Sequence, residues 1–401
     1  MISGAYLLKI KKMKKSSLLN PILALFFLLT LSGCQKRGCT DPNALNYDAS
    51  AVKDDDNCEY EQFDKQGLLQ NLNNNYIIPS YTAYKNAVST LDNKVDDFIQ
   101  NPNDSNLISL RAQWHEALLT WQDVAFLNFG PSDYILMISQ TNTFPVDTVL
   151  IDSSILEGNW NFDYTSYYDA KGFQALDYLL NKNGKSDTEI SQEFATSENK
   201  KLYIKEISTD LLYNINYVLD EWATYSNDFM EDYESNADGS AVSNIVNALC
   251  KHYEFYVRRG KVGLPLGVFN GFSQQEMPHL VECYHYGQSL PFAIRSVNSI
   301  HQFVNGNSYL ANEGGVGLDD YMDFVNAQYN GENLSIATNN QFQLIIDDLN
   351  QLNDPLSNEI LTNKANVSDA YENMQQLVPL IKVDMTSALG VLITYQDNDG
   401  D

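Results

Sequence analysis

Residues 68–100 read LLQNLNNNYIIPSYTAYKNAVSTLDNKVDDFIQ, and the spacing of their apolar side chains decides the fold class. Leu68, Leu69, Leu72, Tyr76, Tyr81, Tyr84, Val88, Leu91, Val95 and Phe98 recur every three or four positions, the period of one helix face. Pro79 inside that stripe predicts a kink. Asn101-Pro102-Asn103-Asp104 breaks the pattern, and Asp104 or Ser105 is placed to cap a second helix. That helix carries Leu107, Leu110, Trp114, Leu118, Trp121 and Ala125 and stops at Gly130-Pro131.

The same period continues to the C-terminus. A short helix follows Gly172, and a long one holds Ile207, Leu211, Ile215, Val218, Trp222 and Phe229. Residues 236–240 (NADGS) read as a linker. Beyond them helices are expected around Val242–Tyr256, Leu290–Ile300, Phe342–Leu349 and Val367–Leu389, with a Gly/Pro interruption at Gly263–Gly267. No alternating run with turn signals predicts a sheet. The fold class is all-α, as two helical-bundle lobes at 63–235 and 236–401. Residues 132–170 lack periodicity, and so long an excursion in a compact fold is often functional. Trp114, Trp121 and Trp222 are assigned to the core by the burial habit of large rings.

The N-terminus carries an export signal. Lys9, Lys11, Lys12, Lys14 and Lys15 precede the apolar run Ile22–Leu31, which suits a signal peptide and is short for a bilayer span. Leu31-Ser32-Gly33-Cys34 looks like a lipobox, so residues 1–33 are read as a lipoprotein signal peptide and Cys34 as the lipidated residue. The membrane partner is then the acyl anchor. Gln35, where some bacteria use a retention Asp, points to the outer membrane, on its periplasmic face or at the cell surface. The full chain has a net charge of −27, and removing the five leader lysines takes it to −32. A surface of that sign repels phosphate backbones and excludes a nucleic-acid role.

Residues 34–62 form a small acidic module or spacer. Export permits disulfides, and a short loop with so little apolar content needs a staple, so a Cys39–Cys58 bridge is expected. The segment resembles a short cysteine-bounded module of bacterial surface proteins, with a consensus like GCTDPxAxNYDPxAxxDDGSC. Asp56 and Asn57 stand where that pattern has Gly and Ser. Clustered Asp and Asn oxygens at 41–56 are calcium-type ligands, the alternative being an acidic spacer. Cys250 and Cys283 are left open between buried thiols and a second bridge.

Four segments of the body, in order, resemble the imelysin-like domain: Trp121 to Gly130-Pro131, Gly172-Phe173-Gln174-Ala175-Leu176-Asp177-Tyr178, Lys261-Val262-Gly263-Leu264-Pro265-Leu266-Gly267, and the stretch from Leu389 to Asp401. The resemblance covers about residues 64 to 401. It implies two bundles related by pseudo-symmetry, a cell-envelope location, a ligand or metal site near their junction, a metallopeptidase classification and a link to iron uptake. A faint echo between Gly172–Tyr178 and Gly317-Leu318-Asp319-Asp320-Tyr321 also hints at duplication.

The family signature is G-x-H-x-x-E, whose His and Glu share one helix face and can jointly ligate a metal. Here the two positions hold Gln174 and Asp177. A carboxamide lacks the imidazole nitrogen that transition metals prefer, and relatives tend to carry an acid where Ala125 stands. Gln174 and Asp177 can instead take a hard cation or hydrogen-bond a ligand. His279-x-x-Glu282-x-x-His285 has metal-compatible types, but on a helix its members spread over roughly 120°. Pro278 and Gly287 also argue for a short helix or none. The resemblance favours Glu282 as site-lining. No HExxH zinc motif and no G-x-S-x-G elbow occurs.

The expected function is a cell-envelope lipoprotein, non-catalytic, holding a small ligand or cation at a junction pocket lined by Gln174, Asp177, Glu282 and His285. Metal (iron) acquisition is its expected context. The rivals are an imelysin-type metallopeptidase with substitute ligands, and an interaction module docking an envelope protein partner. Iron or zinc is disfavoured at the pocket by the Gln174 amide.

Overall fold

The computed structural model describes residues 35–182, 184–311 and 313–396, so the leader and Cys34 lie outside the described residues. Two compact units, Met1–Phe63 and Asp64–Asp401, are each taken by themselves. Among the described residues no helix is long and apolar enough to cross a membrane.

In the small unit Cys39 and Cys58 are joined by a disulfide, as expected. Its aspartates do not converge. Asp41, Asp48, Asp54 and Asp55 each accept the backbone N–H two residues further on, at 2.9 to 3.2 Å. Carboxylates spent in this way build turns. Asp56 adopts φ 61°, the left-handed conformation that suits the glycine of the resembled pattern. The Asp and Asn oxygens of 41–56, open in the sequence between calcium-type ligands and an acidic spacer, form a run of Asx turns, and no group of three acidic, His or Cys side chains gathers among the described residues.

The body is helical. Helix α1 (Lys65–Asn71) runs through a π-helical stretch, Leu72–Ile77, into α2 (Ile78–Gln100). The irregularity expected at Pro79 takes the form of the π-helical turn just before it, because Pro79 has no N–H to return to the Asn75 carbonyl. That carbonyl accepts the Tyr309 N–H at 2.8 Å instead. The π stretch also contains Asn73-Asn74-Asn75, poor helix formers. It buries Asn73, whose Oδ1 accepts from the Trp222 indole at 2.9 Å.

Helix α3 (Asp104–Gln122) is capped by Asn103, one residue before the expected Asp104 or Ser105. Then come α4 (Thr148–Glu157), α5 (Gly172–Leu180), α6 (Asp187–Thr196) and the long α7 (Glu198–Glu231). Helix α2 packs on α3 and α7, and their shared stripe with Trp114, Trp121 and Trp222 is fully buried.

The longer elements that follow are α8 (Ala241–Lys251), α9 (Leu290–Val304), α10 (Leu318–Phe324), α11 (Leu334–Gln351), α12 (Leu356–Thr362) and α13 (Lys364–Pro379), the last prolonged by a π-helical stretch, Leu380–Met385. Another π-helical stretch, His252–Gly263, prolongs α8. Helix α11 packs on α9 and α13, and α9 also packs on α3. The only sheet among the described residues is the hairpin of β1 (Gln328–Tyr329) and β2 (Glu332–Asn333). Asn236, in the expected linker, is tied down: its Nδ2 donates to the Tyr321 hydroxyl at 2.8 Å and the Leu389 carbonyl at 2.7 Å. Cys250 and Cys283 are buried thiols, not a second bridge.

Candidate functional site

All nine residues of helix α5 are buried. Its start explains the signature glycine. Gly172 has φ +74°, and a Cβ there would lie 2.3 Å from the Thr141 carbonyl oxygen. Glycine alone permits that approach, which sets Gln174 beside Asn142.

The Gln174 amide is spent at both ends. Its Oε1 accepts from the Cys283 backbone N–H at 2.8 Å, and its Nε2 donates to Asn142 Oδ1 at 2.8 Å. Asp177, one helical turn on, accepts the His285 N–H at 3.0 Å and the Asn181 amide at 3.2 Å. Burial pushes its carboxyl up to about 7, against the pull of those donors. The charge of Glu282 pushes it the same way.

Glu282 lies deeper. Its Oε2 is paired with the Lys261 ammonium, both side chains buried. Its Oε1 accepts from Asn142 at 2.7 Å and Gln122 at 3.3 Å. The expected quartet is therefore split: Gln174, Asp177 and His285 line a cavity of about 240 Å³, while Glu282 stands behind it and does not.

Phe144, Pro145 and Val146 form the apolar wall of that cavity. They come from the aperiodic 132–170 excursion, which thus contributes to the site. His279-x-x-Glu282-x-x-His285 is not helical. A single 3₁₀ turn, Pro278–Leu280, precedes an extended Val281. His279 is exposed at the cavity, Glu282 faces Lys261, and the three do not converge. His285 keeps Nδ1 buried without a partner, and burial lowers its basicity.

Sequence reading missed Asn142 and Lys261, which complete the polar network. Lys261 opens the Lys-Val-Gly-Leu-Pro-Leu-Gly segment, where no spacing marks it as a site residue. Ala125 lines a second, water-sized cavity of about 20 Å³ with Gln122, Lys261 and His252. His252 is buried with neither ring nitrogen paired, and burial together with the Lys261 charge pushes it down to about 3.

The imelysin family model (peptidase family M75) matches residues 77–383. The chain belongs to the imelysin family. The imelysin fold is also seen in the crystal structure of a Parabacteroides distasonis protein described as an iron-regulated protein A precursor. The two share 16% identity and a TM-score of 0.69, covering 83% of this chain and 97% of that one. An imelysin-like protein from Psychrobacter arcticum matches at 15% identity and a TM-score of 0.63, over 82% and 97% of the two chains. No functionally curated protein matches.

The imelysin signature implies a transition metal, and the residues present do not fit one. An amide with both ends engaged replaces the imidazole, and the Glu282 carboxylate already holds an ammonium. Both oxygens of Asp177 are occupied as well. A borderline-soft ion wants free nitrogen or sulfur donors. The pocket instead offers a buried acid, an imidazole and an apolar wall.

Proposed function

We propose that this imelysin is a non-catalytic cell-envelope lipoprotein whose junction pocket takes a small polar ligand or hard cation in the context of iron acquisition. The observation that carries the reading is the double engagement of Gln174 together with the Lys261–Glu282 pair. Peptide hydrolysis at a metal needs an ion with an open position, a general base and a polarised carbonyl. Here the donors that would grip the ion are already satisfied by protein. The iron context comes from the Parabacteroides relative's description, and the envelope location from the leader, the lipobox and that relative's precursor status. Cys34 carries the lipid anchor, and the outer membrane is its destination.

The test is elemental analysis and peptidase assay of the purified protein beside a Gln174→His/Asp177→Glu double variant. The unaltered protein is expected to retain zinc or iron well below one per chain and to leave peptides intact. Stoichiometric zinc or iron in the unaltered protein overturns the reading in favour of a metallopeptidase.

A further inference from the structure

A second cleft, sharing no residue with the junction pocket, lies where α7 and α8 meet the Asn128–Tyr134 turn and the C-terminal segment. We propose that it binds a neutral, hydroxyl-rich ligand of the carbohydrate class.

Its volume, about 490 Å³, falls within the roughly 300–1,000 Å³ usual for small-molecule clefts, whereas the junction pocket falls below that range. Four α8 residues line it: Asn244, Asn247, Ala248 and Lys251. Their i, i+3, i+4, i+7 spacing presents them as one stripe along a helix face.

The walls are held in place before any ligand arrives. Asn247 clamps the C-terminal segment, donating to the Leu392 carbonyl at 2.9 Å and accepting the Thr394 N–H at 2.8 Å. Tyr395 donates to Glu254 at 2.9 Å. Gly130 has φ +56°, and a Cβ there would lie 2.7 Å from the Tyr225 ring, so the turn rests on that ring. Trp222, with its centroid 5.2 Å away, backs the same ring. Rigid walls lower the entropy lost on binding.

The chemistry of the lining selects the ligand class. Tyr134, Tyr225 and Tyr395 combine flat apolar faces with hydroxyls. Asn244, whose Nδ2 donates to the Gly239 carbonyl at 3.0 Å, adds an amide oxygen that accepts, while Asn128 is bonded to Asp133 at 3.0 Å and holds that carboxylate in the wall. A sugar ring has complementary features, apolar C–H faces and a rim of hydroxyls that both donate and accept. The one ammonium, Lys251, is exposed and has no ion-pair partner among the described residues, although the chain carries a net charge of −27. Asp133 in the same cleft, and that net charge, weigh against a polyanion. So mixed and polar a lining does not suit a lipid tail.

The test is calorimetric titration of the folded protein with maltotriose, xylotriose, chitotriose and trigalacturonate. At least one neutral trisaccharide is expected to bind. Tyr134→Ala and Lys251→Ala, both exposed and so expected to fold normally by circular dichroism, should each weaken binding about tenfold or more. Asp177→Asn, in the other pocket, should leave it unchanged. The proposal is overturned if no neutral trisaccharide binds at millimolar concentration, if only trigalacturonate binds, if both cleft variants bind as well as the parent, or if Asp177→Asn abolishes binding.

Discussion

Lys261 and Glu282 are both sealed from water, 5% and 1% exposed at the side chain. Removing one partner of such a pair strands the other charge, whereas removing both does not. Lys261→Met is therefore expected to cost about 3–5 kcal/mol of stability, and the Lys261→Met/Glu282→Gln double variant to recover most of it. Denaturant titration of the full double-mutant cycle checks this; equal losses in the single and double variants would refute it. Asp177 makes a prediction of different sign. Its folded carboxyl titrates at about 7, above the unfolded value near 4, because burial disfavours the charge. Between those values the folded state binds more protons than the unfolded chain, so this residue's contribution is intact below about pH 4 and is lost as pH rises to about 7. Asp177→Asn should flatten that limb, narrowing the stability difference between pH 5 and pH 8 by an amount on the order of 1–3 kcal/mol. Asn181 can turn its amide to keep the hydrogen bond, so the variant isolates the charge. An unchanged pH profile would show that Asp177 is ionised throughout.

At the scale of elements, α5 depends on where it begins. Gly172→Ala must accept a positive φ, at roughly 1–2 kcal/mol, and also push the Thr141 carbonyl aside. Gly390→Ala meets the same sign of φ (+67°) with nothing within 4 Å. Thermal denaturation should show Gly172→Ala losing clearly more than Gly390→Ala, and equal losses would remove the steric argument. Gly317, at the start of α10, is hemmed in by the Asn305–Gly306 backbone in a similar way, with a Cβ falling 2.5 Å from it. Period alone was enough to place α2, α3 and α7, because long amphipathic helices expose their rule in every turn. The π-helical stretches were not legible. A five-residue hydrogen-bond step leaves no distinct apolar signature, and only Pro79, just after the first stretch, marked an irregularity there. Gln174 and Asp177 were legible because a local signature holds them. Lys261 was not, since its meeting with Glu282 is made by tertiary placement across 21 residues, and Glu282 consequently faces away from the pocket it was expected to line.

Across the whole molecule, the helices before and after residue 236 are joined by buried polar contacts. At the end of α3, Asp123 accepts both Nε and Nη2 of Arg295 at 2.6 and 2.8 Å, as well as the Ser299 and Tyr309 hydroxyls. Asn71 donates to the Gly306 and Val316 carbonyls at 2.7 and 3.0 Å. The Gln174–Cys283 and Asp177–His285 bonds span the same divide. Such cross-links penalise any state in which one half is folded and the other open, because each stranded partner is a buried polar group without its bond. Asp64–Asp401 should then unfold as one cooperative unit, even though it is read as two bundles. The sequence supplies the probe: all four tryptophans, Trp114, Trp121, Trp160 and Trp222, precede residue 236. Trp121, Trp160 and Trp222 have their ring contacts within the first bundle, and Trp114 alone packs on Tyr286 and Phe292 of the second. Tryptophan fluorescence therefore reports the first bundle and its junction, while far-ultraviolet circular dichroism reports the helices of both. Coincident midpoints in guanidinium are expected. Asp123→Ala removes the partner of a half-exposed Arg295, which can turn toward solvent, so its cost should fall near the low end of what buried pairs show, about 2–3 kcal/mol. In that variant both midpoints should shift together. A fluorescence transition displaced from the dichroism transition in the unaltered protein would mean that the bundles unfold separately and that the junction contacts contribute little.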